Sequence, residues 1–264
     1  MTEKQPPEWG DDPLSRFLSD AEYNGRAAGI NYASIYALLQ HVHATFRRVE
    51  EAIEKDNRDD LLVSRFLMAR THSAFLGAVR LAMSGQASES FPLLRGAIEQ
   101  AWYALHIAKD LKAAERVKIW LSRNDDNSSK AKCKSEFNVA NVRSTHEGLD
   151  AATAKELHDR YENLIDFGGH PNPMGVLTSI IWSQTDKQID FKIGILTSNK
   201  TMVIFALRMA VAVAVGALKV FKLIYPERFS LAGIDPEIDK LVEGLNTVFK
   251  PYVPVAPPKP GTTG

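Results

Sequence analysis

Between residues 31 and 56, NYASIYALLQHVHATFRRVEEAIEKD, apolar side chains recur every three or four positions: Ile35, Leu38, Leu39, Val42, Phe46, Val49 and Ile53. That period sets them on one stripe of a helix, and such a stripe has to be covered by other parts of the chain. A second, more broadly apolar helix is expected over about 61–84, carrying Val63, Leu67, Ala74, Phe75, Ala78 and Leu81, with Ser84 and Gly85 as its break. The next, SFPLLRGAIEQAWYALHIAKD at 90–110, is read with Ser90 as N-cap, because a proline is tolerated in a first turn and Pro92 then falls there. A start near Gln86 would demand a kink.

Shorter helices are expected near 113–123 and 134–146, separated by the polar SRNDDNSSKAK, and another over about 151–166 with Leu157, Tyr161 and Leu164 inward. Gly168 and Gly169 then supply a left-handed stop. Beyond them the period changes. IDFKIGI, 189–195, alternates strictly, VLTSIIW, 176–182, is a less regular partner, and SQTDKQ between them suits a loop, so a β-hairpin is expected over about 176–195. TMVIFALRMAVAVAVGALKVFKLIY, 201–225, has the length of a membrane span, but Arg208 interrupts it and Lys219 and Lys222 follow. Its charge-free run, Met209 to Leu218, is too short to cross ~30 Å of hydrocarbon, so it reads as a buried core helix and no membrane is expected. A last helix falls near 235–249.

The fold class is therefore all-α, a multi-helix bundle with one inserted β-hairpin. Residues 14–249 form a single helical domain, 1–13 a disordered acidic arm, and 250–264 a disordered proline-rich tail.

Composition narrows this picture only a little. With 264 residues, 45% hydrophobic and 24% charged, the chain can bury a substantial core and bulk disorder is excluded. A formal net charge of zero argues against a nucleic-acid coat protein, which carries a basic excess. Cys133 is the single cysteine, so no intramolecular disulfide and no cysteine zinc cluster can form. A reducing compartment follows, and with no apolar core of a secretory signal in MTEKQPPEWGDDPLSRF the expected location is cytoplasmic.

The helix at 90–110 raises the chemical question. Arg95, Glu99, Trp102 and His106 share a stripe beside the apolar face of Leu94, Ile98, Ala101 and Leu105. Either Arg95 and Glu99 are a surface pair worth ~0.2–0.5 kcal/mol, or the ladder, with Tyr103, lines an inter-helix pocket on which His170 converges. Buried charge needs a partner. Arg208 meets the same demand in its apolar helix, with Glu99 as one candidate.

His170, in YENLIDFGGHPNP, follows a helix stop; it either exposes a titratable imidazole or anchors the turn into the hairpin. Arg65 and His72, in RFLMARTH, lie about 20° apart on one helix edge. No metal or cofactor is expected. His41 and His43 point to different faces, His158 and Glu162 are only two ligands, and there is no glycine-rich phosphate loop and no HExxH. RVKIWLSRNDDNSSKAKCK, 116–134, has six basic and two acidic residues, a phosphate-contacting patch or a solvated loop.

SGQASESFPLLRGAIEQAWYALHIA, followed downstream by YENLIDFGGHPNP, a hairpin and an apolar helix, resembles uncharacterised prokaryotic helical proteins, some of which are similar to the HEPN superfamily. The Arg65-x6-His72 spacing falls within that superfamily's arginine–histidine motif. Here it lies on an early helix, whereas the family carries it late, and nine residues separate His170 from Arg160 upstream.

The resemblance implies a helical bundle, a homodimer, a toxin or defence context, and RNA or a nucleotide as partner. It further implies metal-independent ribonuclease chemistry, with His72 or His170 moving protons and Arg65 facing phosphate charge; Arg95 would hold a phosphate in the polar pocket. The alternative is a non-catalytic homodimeric scaffold whose polar ladder fixes helix register.

Overall fold

Asp12, in extended backbone, accepts hydrogen bonds from the amides of Leu14 and Ser15, and Pro13 follows it, so the first helix, α1 (Pro13–Asn31), starts on a capping carboxylate. The computed structural model describes residues 8–54, 56, 58–110, 114–169, 180–184, 189–197 and 199–252. No apolar stripe announced α1: only Ser15 and Ala28 are buried along it. α2 (Ala33–Glu54) follows, and all seven positions of its predicted stripe are buried.

α3 (Leu62–Ser84) ends at the expected break, Gly85, whose φ of +96° makes it a left-handed stop. α4 begins at once, at Ala87 rather than Ser90, and runs to Ala108 with Pro92 inside it. Ser90 is buried, and its hydroxyl donates to the Ala87 carbonyl at 2.6 Å. The earlier start is favoured by burial of Ala87, Ser90 and Phe91, which outweighs the proline's missing donor. α3 and α4 make the most extensive contact between helices.

The polar stretch expected to separate two helices is itself helical. After α5 (Glu115–Leu121), Asp126 caps α6 (Asn127–Glu136) and Asn138 caps α7 (Val139–Glu147). α6 buries only Cys133, which is why hydrophobic periodicity missed it. α8 (Ala151–Leu164), capped by Asp150, buries Leu157, Tyr161 and Leu164. It widens into a π-turn over Ile165–Gly169, where Gly168 has φ +151°. A Cβ there would meet the Ser88 carbonyl oxygen at 3.0 Å, so this glycine lets the chain lie against the start of α4.

Two short strands, β1 (Ile180–Gln184) and β2 (Ile189–Ile193), pair antiparallel with Trp182 opposite Phe191. The rest of the segment expected as a hairpin, apart from Gly194 and Ile195, lies outside the described residues, as do 1–7 of the expected arm and 253–264 of the expected tail. The start of that tail, Lys250–Tyr252, is a 3-10 turn.

α9 (Lys200–Ile224) is the axis of the bundle, packing on α2, α3, α4 and α8 and on α11 (Asp235–Val248), which follows the short α10 (Pro226–Leu231). It is long and apolar enough to cross a membrane, yet 78% of its most apolar window is buried inside the bundle. The fold is an all-α bundle.

Candidate functional site

His72, on α3, is 4% exposed and stacks on Phe46, with ring centroids 4.7 Å apart and planes 7° from parallel. Its Nδ1 is 2.7 Å from Glu50 Oε1 and its Nε2 is 2.8 Å from Nδ1 of His43. His43, Arg47 and Glu50 are spaced four and three residues apart on α2, one face of a helix. Arg47 reaches the other oxygen of Glu50 at 2.6 Å. The result is a line of polar groups from a half-buried carboxylate, through a buried imidazole, to an exposed one.

Hydrogen positions along this line follow from the partners. A carboxylate only accepts, so His72 donates from Nδ1; its Nε2 then accepts from Nδ1–H of His43. Burial lowers the His72 pKa below its ordinary value, against the opposing pull of Glu50, so the ring is neutral near pH 7. That arrangement leaves His43 with a bare Nε2, which has no partner among the described residues.

Arg65 stands apart from this chain. Its Nη2 donates to the Asp56 carbonyl at 2.6 Å, and no contact joins it to His72 among the described residues. One helix edge therefore carries both residues of the motif without bringing their functional groups together: seven residues span about 10 Å along the axis.

The ladder on α4 divides into two clusters. Arg95 Nε donates to Glu99 Oε1 at 3.0 Å, and Tyr161 of α8 donates to the same oxygen at 3.0 Å. The guanidinium lies 5.3 Å from the Tyr161 ring centroid. Burial, then Glu99, pushes the Tyr161 phenol up to about 12. Arg95 and Glu99 are neither buried nor free: their side chains are 25% and 34% exposed.

One turn and more onward, His106 is buried between Glu136 of α6, 3.1 Å from Nε2, and Thr145 of α7, 2.7 Å from Nδ1. Burial and then Arg116 lower its pKa. Arg116 donates to Glu136 at 2.9 Å and to the His106 carbonyl at 2.7 Å. Burial pushes the Glu136 carboxyl up, but hydrogen bonds from Arg116 and His106 hold it below the usual range. Beside them is a cavity of about 280 Å³ with three cationic and three acidic side chains. Deeper still, Trp102 donates to Nδ1 of His146 at 3.2 Å, and burial drives that histidine down to about 4.

Tyr103 donates to the Phe137 carbonyl at 2.9 Å, which fixes it between α4 and the end of α6. Arg208 was expected to be buried against an acid such as Glu99. It is exposed, and makes no ion pair among the described residues, because the apolar positions of α9 leave one outward strip for it. His170 lies outside the described residues. No metal-ligating cluster occurs among the described residues.

Sequence reasoning missed Glu50 and His43. Their signal was the four-plus-three spacing with Arg47 along the flank of an apolar helix stripe; His41, two residues from His43, instead meets Glu237 on α11 at 2.8 Å. Comparison with known families, curated proteins and solved structures returns no match. Chemically, the arrangement offers a proton acceptor at the surface whose gained charge can be shared inward with His72 and balanced by Glu50.

Proposed function

We propose that this chain is a metal-independent, RNA-directed acid–base protein in which His43 is the reacting base, His72 its relay and Glu50 the balancing carboxylate. The unbroken line of 2.7 Å and 2.8 Å contacts from Glu50 through His72 to an exposed His43 carries the reading. His43 Nε2 takes the proton of a ribose 2′-hydroxyl, the oxygen attacks the adjacent phosphorus, and the 5′-oxygen leaves with a proton from solvent. Arg47, 58% exposed on the same face of α2, meets the phosphate charge. In this reading the Arg95 and His106 clusters hold the helices in register, and Arg65 braces the α2–α3 junction.

The distant HEPN-like resemblance, a homodimer, a hairpin inserted over about 176–195 and a toxin or defence setting belong to the same proposal. So does a cytoplasmic location, supported by the single, buried Cys133.

The test is incubation of the full chain with single-stranded RNA in excess EDTA, read on a gel. Cleavage that survives the chelator and disappears in His43→Ala, with the melting temperature unchanged, supports the assignment. Intact RNA, or equal cleavage by the variant, refutes it.

One observation favours a second reading, a non-catalytic scaffold: Arg95, Glu99, Tyr161, His106, Arg116 and Glu136 all have partners within the chain. On that reading substituting any of these six residues, or His43, changes stability alone.

A further inference from the structure

The first turns of α9 carry Lys200, Thr201, Ile204, Phe205 and Arg208 along one side. Against that side lie Phe249 and Tyr252, beyond the end of α11, and the two walls enclose about 300 Å³. This falls at the small end of the range in which proteins hold small organic ligands. None of the residues of the Glu50–His72–His43 line takes part.

Two features define what would fit. The first is charge. Among the described residues the lining contains two cations and no acid, whereas the similar-sized cavity beside His106 sets three acids against three cations. Arg208 is exposed at one end with no ion pair among the described residues. Lys200, eight residues earlier, places its ammonium 5.5 Å from the Tyr252 ring centroid. The cavity also sits at the N-terminal end of a 25-residue helix, where the backbone dipole adds positive potential.

The second feature is an aromatic wall whose rings are held in place. Phe205 packs against Phe91 at 5.8 Å and Phe167 at 4.9 Å, and Tyr252 meets Tyr32 edge-on at 6.5 Å. Phe249 is buried. An aromatic body entering the cavity meets apolar ring surface already fixed by these packings, while a negative group on it is met by Arg208 in the same lining, whose planar fork suits phosphate and carboxylate oxygens.

We propose that this cavity binds a small aromatic anion, a planar ring body carrying one phosphate or carboxylate group, as a site separate from the histidine relay. The occupant is a single small molecule, since about 300 Å³ matches one ring system with its charged group. A nucleoside monophosphate and an aryl carboxylate share this chemistry.

Isothermal titration of the full chain separates the sources with two probes, adenosine 5′-monophosphate and 2-naphthoate. Inorganic phosphate and neutral 2-naphthamide serve as controls. One aromatic anion is expected to bind with one-to-one stoichiometry and a Kd below about 1 mM, with both controls at least about tenfold weaker. The better probe names the source. Arg208→Gln should weaken that probe about tenfold or more, the loss of one charge-assisted contact. Its circular dichroism and melting temperature should match the parent, because the side chain is exposed. If neither aromatic anion binds, if a control binds equally well, or if Arg208→Gln leaves affinity unchanged, the site is refuted. RNA cleavage plays no part in the readout, so failure here and failure of the relay are distinguishable.

Discussion

The Nε2 of His72 lies 2.8 Å from Nδ1 of His43, so two imidazoles from different helices share one hydrogen bond. Neither ring alone is unusual. What gives the pair direction is Glu50, 2.7 Å from the other nitrogen of His72, which fixes the tautomer of the inner ring and through it that of the outer one. Replacing Glu50 with Gln keeps the shape but lets the side-chain amide donate as well as accept. Glu50→Gln should lower RNA cleavage about 10²-fold or more while moving the melting temperature by only a few degrees. Parallel gel rates and thermal melts check this; cleavage at the parental rate would remove Glu50 from the relay.

Acid should weaken the fold before the carboxylates are protonated. His72, His106 and His146 all have folded pKa values below the ordinary 6.5, with burial as the first cause. Between the folded value and 6.5 the unfolded chain binds more protons, so stability is full above that range and is lost as pH falls through it. For His146 the window runs from 6.5 down to about 4, worth at most about 3–4 kcal/mol. Urea denaturation at pH 7.5 and pH 5 measures the loss. His146→Asn, which keeps an acceptor for Trp102 and removes the titration, should make stability less dependent on pH across this interval.

Tyr161 ties α8 to α4 through Glu99. Tyr161→Phe removes one donor to a carboxylate and should cost about 1–2 kcal/mol, with Arg95 still paired to Glu99. Chemical denaturation reads this directly, and no change would mean that the phenol hydroxyl is energetically idle.

α8 and α9 approach so closely that a Cβ on Gly216 would stand 2.6 Å from Leu157 Cδ1. Gly216→Ala should therefore destabilise by about 1–3 kcal/mol, and Leu157→Ala by about 2–5 kcal/mol. In the double variant the new methyl occupies space that Leu157 has vacated. Its loss should be smaller than the sum of the two, by about 0.5–3 kcal/mol in a double-mutant cycle. Additive losses would contradict the contact.

The helices legible in the sequence were those whose apolar residues declare a buried face, α2, α3, α8 and α9, together with the shorter α5 and α11. α1 and α6 did not, because each buries almost nothing and is set by its capping aspartate, Asp12 or Asp126. Pro92 misled the placement of α4, since burial of Phe91 and Ala87 outweighs a local backbone penalty. At the site, Arg95 and Glu99 were legible as an i, i+4 pair, but Tyr161 as their shared partner was a matter of tertiary packing. His72 drew attention through Arg65, the wrong neighbour. Its true partners stand on α2, and a spacing within one helix carries no information about which other helix faces it.

The most direct measurement is long-range proton–nitrogen correlation NMR of the histidine side chains at pH 7.5. The relay requires His72 protonated at Nδ1 and bare at Nε2, and His43 protonated at Nδ1 with Nε2 open to take a proton. A His72 ring carrying its proton on Nε2, or protonated at both nitrogens, would contradict it.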